Sequence, residues 1–161
     1  MSSDFLNLLG RLVHAGVDFV VVGGFAGVAH GCTYVTQDID ICCEFSPATL
    51  LALQKAISDL EPVHRMTPGR KKLALTEQQC SHLKNLYLDT AMGQLDCLSF
   101  IDGLGDFEQV KRASELLEVE GMKVRVLSLD ALIKAKKSMN RPLDRQVLSQ
   151  LEAIRKLQNP K

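Results

Sequence analysis

The sequence predicts an α/β protein, with helices and strands alternating along one chain. Three observations carry that reading. An apolar run, Val20-Val21-Val22, ends in Gly23-Gly24. A second run, Thr36-Gln37-Asp38-Ile39-Asp40-Ile41, carries two aspartates one residue apart. Around these strand-like stretches lie stripes such as Phe5, Leu8, Leu9, Leu12 and Val13, whose three- and four-residue spacing is that of an amphipathic helix.

The elements follow in order. Residues 4–15 read as a helix on that stripe, 17–22 as a strand, and 25–30 as a short helix after the glycines. Residues 37–43 form the second strand. Ser46-Pro47 opens a helix that runs to about Leu60, because serine caps a helix and proline suits its first turn. Residues 61–82 are broken by Pro62, Pro68 and Gly69 and give no clear pattern. Strands at 83–89 and 94–101 flank Ala91-Met92-Gly93, a hairpin signal. Residues 106–117 read as helical and 122–127 alternate as a strand. Ser128 caps a helix to about Met139, and a last helix runs from Pro142 to Leu157. No repeat or linker divides the chain, so residues 1–161 are expected to form one domain, with a core at about 15–127 and a C-terminal helical segment at 128–157.

Composition removes several function classes. Nineteen basic residues balance nineteen acidic ones, so no overall positive field points to nucleic acid. No apolar run approaches the ~18 residues of a membrane span, and Met1-Ser2-Ser3-Asp4 lacks the basic start of a secretory signal. The five cysteines Cys32, Cys42, Cys43, Cys80 and Cys97 form no C-x-x-C pair and read as reduced core thiols of a cytoplasmic protein. Cys80-x-His82 is too sparse for a zinc site. His14, His30, His64 and His82 share no metal-site or triad spacing; His30 comes nearest the glycines.

The carboxylates carry the chemistry. Side chains alternate along a strand, so Asp38 and Asp40 point to one face while Ile39 and Ile41 point to the core. Two acids side by side repel, and a divalent cation with a polyphosphate relieves that repulsion. A third acid, Asp96, sits inside the apolar run Gln94-Leu95-Asp96-Cys97-Leu98, where a carboxylate is costly unless paired, hydrogen-bonded or metal-bound. Asp89 and Asp102 are its rivals for that place. Gly23-Gly24 allows a tight turn and close approach of a phosphate to the backbone. A dinucleotide-binding fingerprint fits poorly, because Val22-x-Gly24-x-x-Gly27 lacks its first glycine.

Near the C-terminus, Leu129, Leu132, Ile133 and Lys136 share a helix face. A lysine centred on an apolar stripe either snorkels past the core or meets an anion, and the anion is the expectation here. Arg141 and Asp144 read as an ion pair at a helix start. The turn Gly69-Arg70-Lys71-Lys72 reads as solvated.

Gly-Gly, a short helix, Thr-x-Asp-Ile-Asp-Ile and a later strand with one Asp together resemble the polymerase-β-type nucleotidyltransferase superfamily. The ending, Leu127-Ser128-Leu129-Asp130 through Lys136 to Arg141-Pro142-Leu143-Asp144, resembles its small bacterial members, the AbiEii-like and antibiotic-modifying groups. The resemblance implies a nucleotidyltransferase fold, a central mixed sheet flanked by helices, of the α+β kind. It implies that Asp38, Asp40 and Asp96 bind Mg2+ or Mn2+ and are catalytic, and that Gly23, Gly24, Thr36 and Lys136 bind the nucleotide. It implies a nucleoside triphosphate as donor and a small molecule, RNA or protein hydroxyl as acceptor, with pyrophosphate released. Relatives commonly carry an arginine two residues before the threonine, where this chain has Tyr34. A catalytically weak binding module of the same fold, such as a toxin–antitoxin component, is the alternative, and the short chain leaves room for a partner or a second copy to complete the cleft.

Overall fold

A computed structural model describes residues 3–158; Met1-Ser2 of the N-terminal signal argument lies outside them. The chain begins with α1 (Ser3–His14), β1 (Phe19–Val22) and α2 (Gly23–Ala29), then β2 (Asp38–Cys43) and α3 (Pro47–Ala56). The helix expected to reach about Leu60 ends at Ala56, and a 3-10 turn follows at Ser58–Leu60; β3 (Val63–His64) and the one-turn α4 (Glu77–Cys80) lie in residues 61–82, the stretch that the sequence leaves unreadable. There follow β4 (Asn85–Thr90), β5 (Gly93–Leu98), β6 (Phe100–Ile101), β7 (Gly105–Asp106), α5 (Phe107–Arg112), β8 (Ser114–Val119) and β9 (Met122–Leu127). Two helices, α6 (Leu129–Met139) and α7 (Pro142–Gln158), close the described chain.

Seven strands make one mixed sheet in the order β3-β4-β5-β2-β1-β9-β8, and β6-β7 form a separate small ladder. β2 lies at the centre, antiparallel to β1 and parallel to β5. All four residues of β1 are buried, as expected for a strand covered on both faces. On β2, Ile39 and Ile41 are fully buried while Asp38 and Asp40 are half-buried, so the predicted division of faces holds. The five cysteines are all buried and free, and burial pushes the Cys42 and Cys43 thiols up to about 12. No helix among the described residues is long and apolar enough to cross a membrane.

Local chemistry sets the helix starts. Ser46 Oγ accepts from Thr49 N at 3.3 Å to open α3, and Ser128 Oγ accepts from Ala131 N at 3.2 Å to open α6. Two further expected elements differ in the structure. The helix anticipated over 106–117 stops at Arg112, and Ser114-Glu-Leu-Leu-Glu-Val119 is a strand paired with β9 from Ser114↔Leu127 to Val119↔Met122. Glu and Leu favour helix locally, but the hairpin overrides them. Its turn residues Glu120 and Gly121 both have positive φ, 51° and 81°, as a tight two-residue hairpin requires. The strand expected over 94–101 also breaks after Leu98, and Phe100–Ile101 turns away to pair with Gly105–Asp106.

Candidate metal and nucleotide site

The pairing of β2 with β5 brings the acids together. Asp40 lies directly beside Asp96 in the ladder, and Asp38 beside Gln94. One carboxylate oxygen from each of Asp38, Asp40 and Asp96 lies within 4.8 Å of the other two. Neither rival joins the cluster: Asp89 pairs with Arg70, and Asp102 lines the same cavity as the three acids without lying among them. That ion pair also commits the basic turn at residues 69–72 to a structural contact at Arg70.

The cluster is electrostatically uncomfortable by itself. Burial, and then the charge and hydrogen bond of Asp38, push Asp40 up to about 8, with Asp96 adding to the rise and Lys136 opposing it. Asp96 is also raised, chiefly by burial, with the guanidinium of Arg65 pulling the other way. Asp40 and Asp96, side by side and both raised, do not lose their protons independently.

Arg65 escaped the sequence reading because it sits alone in the irregular stretch, with no periodicity or motif to mark it. Its Nη2 donates to Asp96 Oδ2 at 3.0 Å, and its Nη1 donates to Leu88 O at 3.2 Å. Nη1 also lies 2.8 Å from Asp96 Oδ1, an ion-pair contact out of line for a hydrogen bond. Oδ1 is therefore buried without a hydrogen-bond donor among the described residues. Three carboxylates within 4.8 Å, one of them with a buried oxygen that no hydrogen bond satisfies, are a donor set that fits a hard divalent cation.

The glycines serve the acids directly. Gly23 has φ +67°, and a Cβ there would lie 2.2 Å from Asp40 Oδ2. Only a residue without a side chain lets β1 turn into α2 beneath that carboxylate. A Cβ on Gly24 would meet Thr36 Oγ1 at 3.2 Å. Thr36 itself donates to Asp38 O at 2.9 Å, tying the approach loop to the start of β2. Tyr34 donates to Gly24 O at 2.7 Å, and its hydroxyl occupies the space that a Cβ on Gly27 would need. Tyr34 therefore packs onto the glycine turn.

Lys136 does meet an anion, but the anion belongs to the protein. Its Nζ donates to Asp144 Oδ1 at 3.1 Å. Asp144, 1% exposed, also accepts from Arg141 Nε at 2.6 Å and from Arg141 N at 3.1 Å. These donors, Arg141 first, hold its carboxyl down at about 2. The expected ion pair at the start of α7 is present and extends to α6. His30 is spoken for elsewhere: its Nε2 lies 2.8 Å from Leu127 O.

Two cavities meet at this cluster. One, of about 400 Å³, is lined by Gly24, Tyr34, Thr36, Asp38, Lys136, Arg141 and Asp144 with residues of α7. The other, open and of about 1120 Å³, is lined by Asp38, Asp40, Asp96, Lys84, Tyr87, Phe100, Asp102, Asp106 and Arg141. The site residues expected from the sequence are thus gathered around one point, except that Gly23 lies beneath Asp40 rather than on a cavity wall.

No protein-family model matches the chain, and no curated protein matches it in sequence. Solved structures do match in shape. The lincosamide antibiotic adenylyltransferase LnuA, lincomycin-bound, superposes with TM-score 0.65 at 18% identity, over 96% of this chain and 98% of that one. The chain has the nucleotidyltransferase fold. ANT(2'')-Ia in complex with adenylyl-2''-tobramycin is similar with TM-score 0.58 at 14% identity, over 96% and 94% of the two chains. An antigenic nucleotidyltransferase-like protein from Paracoccidioides brasiliensis is similar with TM-score 0.56 at 12% identity, over 94% of this chain and 74% of that one. The mixed sheet and flanking helices expected from the sequence are the architecture of this fold.

Proposed function

We propose that the chain is a metal-dependent nucleotidyltransferase. It transfers a nucleoside monophosphate from a nucleoside triphosphate to an acceptor hydroxyl and releases pyrophosphate. The observation that carries this reading is the convergence of Asp38, Asp40 and Asp96 where two cavities meet. These three carboxylates would hold Mg2+ or Mn2+. Bound there, the ion supplies charge neutralisation for the triphosphate and acidifies the acceptor hydroxyl.

The protein groups divide the remaining work. Lys136, aimed by Asp144 into the cavity that Gly24 and Thr36 also line, meets the triphosphate. Thr36 fixes the backbone of Asp38 and so the direction of its carboxylate. The larger cavity takes the acceptor between Tyr87 and Phe100, placing its hydroxyl beside Asp96. Most of the catalysis comes from positioning and electrostatics rather than covalent chemistry. Of the acceptor classes, a small molecule has most support. The cavity suits one in size, and two structures of similar shape hold lincomycin and adenylyl-2''-tobramycin. Residues 1–161 are taken as one domain. The second reading, a weakly catalytic binding module such as a toxin–antitoxin component, is favoured by one observation: Tyr34, where relatives commonly carry an arginine, is spent on Gly24.

The test uses the four α-labelled nucleoside triphosphates with Mg2+ or Mn2+, a lysate supplying small molecules, RNA and proteins, and Asp38→Asn as control. Label transferred by the wild type and not by the variant supports the enzyme, and the labelled fraction identifies base and acceptor class. A folded wild type that binds metal and transfers nothing supports the binding module.

A further inference from the structure

We propose that Arg65 is the positioning residue for Asp96, fixing the orientation in which that carboxylate meets a divalent cation. The proposal rests on the metal-site reading above and adds a residue outside the carboxylate trio.

The argument begins with the backbone. Arg65 follows the two-residue strand β3, and its N–H donates to Tyr87 O at 2.9 Å, extending the ladder by one residue. Tyr87 lies directly opposite Asp96 on β5, and Asp40 lies beside Asp96 on the other side. A row of three side chains, Tyr87, Asp96 and Asp40, therefore crosses the sheet on one face. The Arg65 guanidinium packs over the first of these, with its central carbon 5.9 Å from the Tyr87 ring centre. From there it reaches the second.

The fork has three anchors. Leu88 O takes Nη1, the Tyr87 ring supports the plane, and Asp96 Oδ2 takes Nη2. With the guanidinium fixed on both sides, the carboxylate has one orientation that satisfies Oδ2. In that orientation Oδ1 is buried, 2.8 Å from Arg65 Nη1 but with no well-aligned hydrogen-bond donor among the described residues. A guanidinium that hydrogen-bonds one oxygen of a buried carboxylate and holds the other only by an off-line contact at 2.8 Å is placed as an outer partner that orients a metal ligand. Lysine cannot reproduce this arrangement, because a single ammonium cannot hold Leu88 O and Asp96 Oδ2 in a planar fork.

Positioning and plain charge predict opposite outcomes, so the experiment separates them. Mn2+ binding to the full chain is titrated by the electron paramagnetic resonance signal of free Mn2+, for wild type, Arg65→Lys and Arg65→Gln, with a thermal melt of each metal-free protein to confirm folding. If Arg65 acts through orientation, both variants bind Mn2+ about 10-fold or more weakly than wild type. If it acts only as a nearby positive charge, Arg65→Gln binds Mn2+ more tightly and Arg65→Lys binds it unchanged; either result overturns the proposal. Arg65→Lys carries the test alone if Arg65→Gln fails to fold. In transfer assays the Mn2+ concentration for half-maximal rate should rise more than the rate at saturating Mn2+ falls. A wild type that binds no Mn2+ overturns the metal site and this proposal with it. A wild type that binds Mn2+ but transfers no label leaves Arg65 in its role and sinks only the transferase reading.

Discussion

In metal-free protein, replacing Asp40 with asparagine should stabilise the fold, and more so as pH rises. Asp40 is pushed up to about 8 in the folded state, chiefly by burial and by Asp38. Its ordinary value is 3.8, which the unfolded chain recovers. Between those values the folded protein holds a proton that the unfolded one has released. Stability from this group therefore falls as pH rises through that window. Each unit corresponds to 1.36 kcal/mol, so the interval from pH 5 to pH 8 should cost wild type about 3–4 kcal/mol relative to Asp40→Asn, which has no proton to lose. Asp96, also raised, shares the titration, making this an upper figure. For a chain of this size that is roughly 7–14 °C of melting temperature. Thermal melts of both proteins in EDTA from pH 5 to pH 8 provide the assay. Saturating Mg2+ or Mn2+ should shrink the gap or reverse it, because the ion favours the ionised carboxylate. Parallel melting curves for the two proteins in EDTA across that range would refute the reasoning.

Three further outcomes follow from the same geometry. Gly23→Ala places a Cβ 2.2 Å from Asp40 Oδ2 at a φ of +67°; it should cost about 1–3 kcal/mol of stability and weaken Mn2+ binding, read by denaturant melts and metal titration. Asp144→Asn removes a carboxyl held near 2; about 2 kcal/mol should be lost at pH 7, and the loss should fade as pH falls from 4 toward 2, where wild type itself gives up that contribution. Lys136→Ala should raise the KM for nucleoside triphosphate by about 10-fold or more if Lys136 contacts the phosphates, the range of a charge-assisted contact, with calorimetric binding of a non-hydrolysable analogue as the check.

The acids were legible because strand alternation is a strict rule: once Asp38 and Asp40 lie on one strand, their shared face follows. Asp96 was legible because a carboxylate in an apolar run calls for a partner. Ser46 and Ser128 announced their helices for the same local reason. Arg65 was not legible, because it meets Asp96 through a pairing of β3, β4 and β5 that no local pattern around it encodes. β8 was misread because Glu115 to Glu118 favour a helix in isolation, and only the partner strand outweighs that preference. The apolar stripe marked Lys136 as a lysine that meets an anion, but the sequence did not point to Asp144, eight residues on, with which it pairs.

The two cavities share Asp38 and Arg141 and otherwise keep separate walls. For the proposed reaction this has a kinetic meaning. Each substrate has its own door, so neither must leave before the other enters, and both can be resident at once. The nucleotide then has no need to be parked on a side chain between two half-reactions. Initial-rate plots should accordingly give intersecting lines, the mark of a ternary complex, rather than the parallel lines of a ping-pong enzyme.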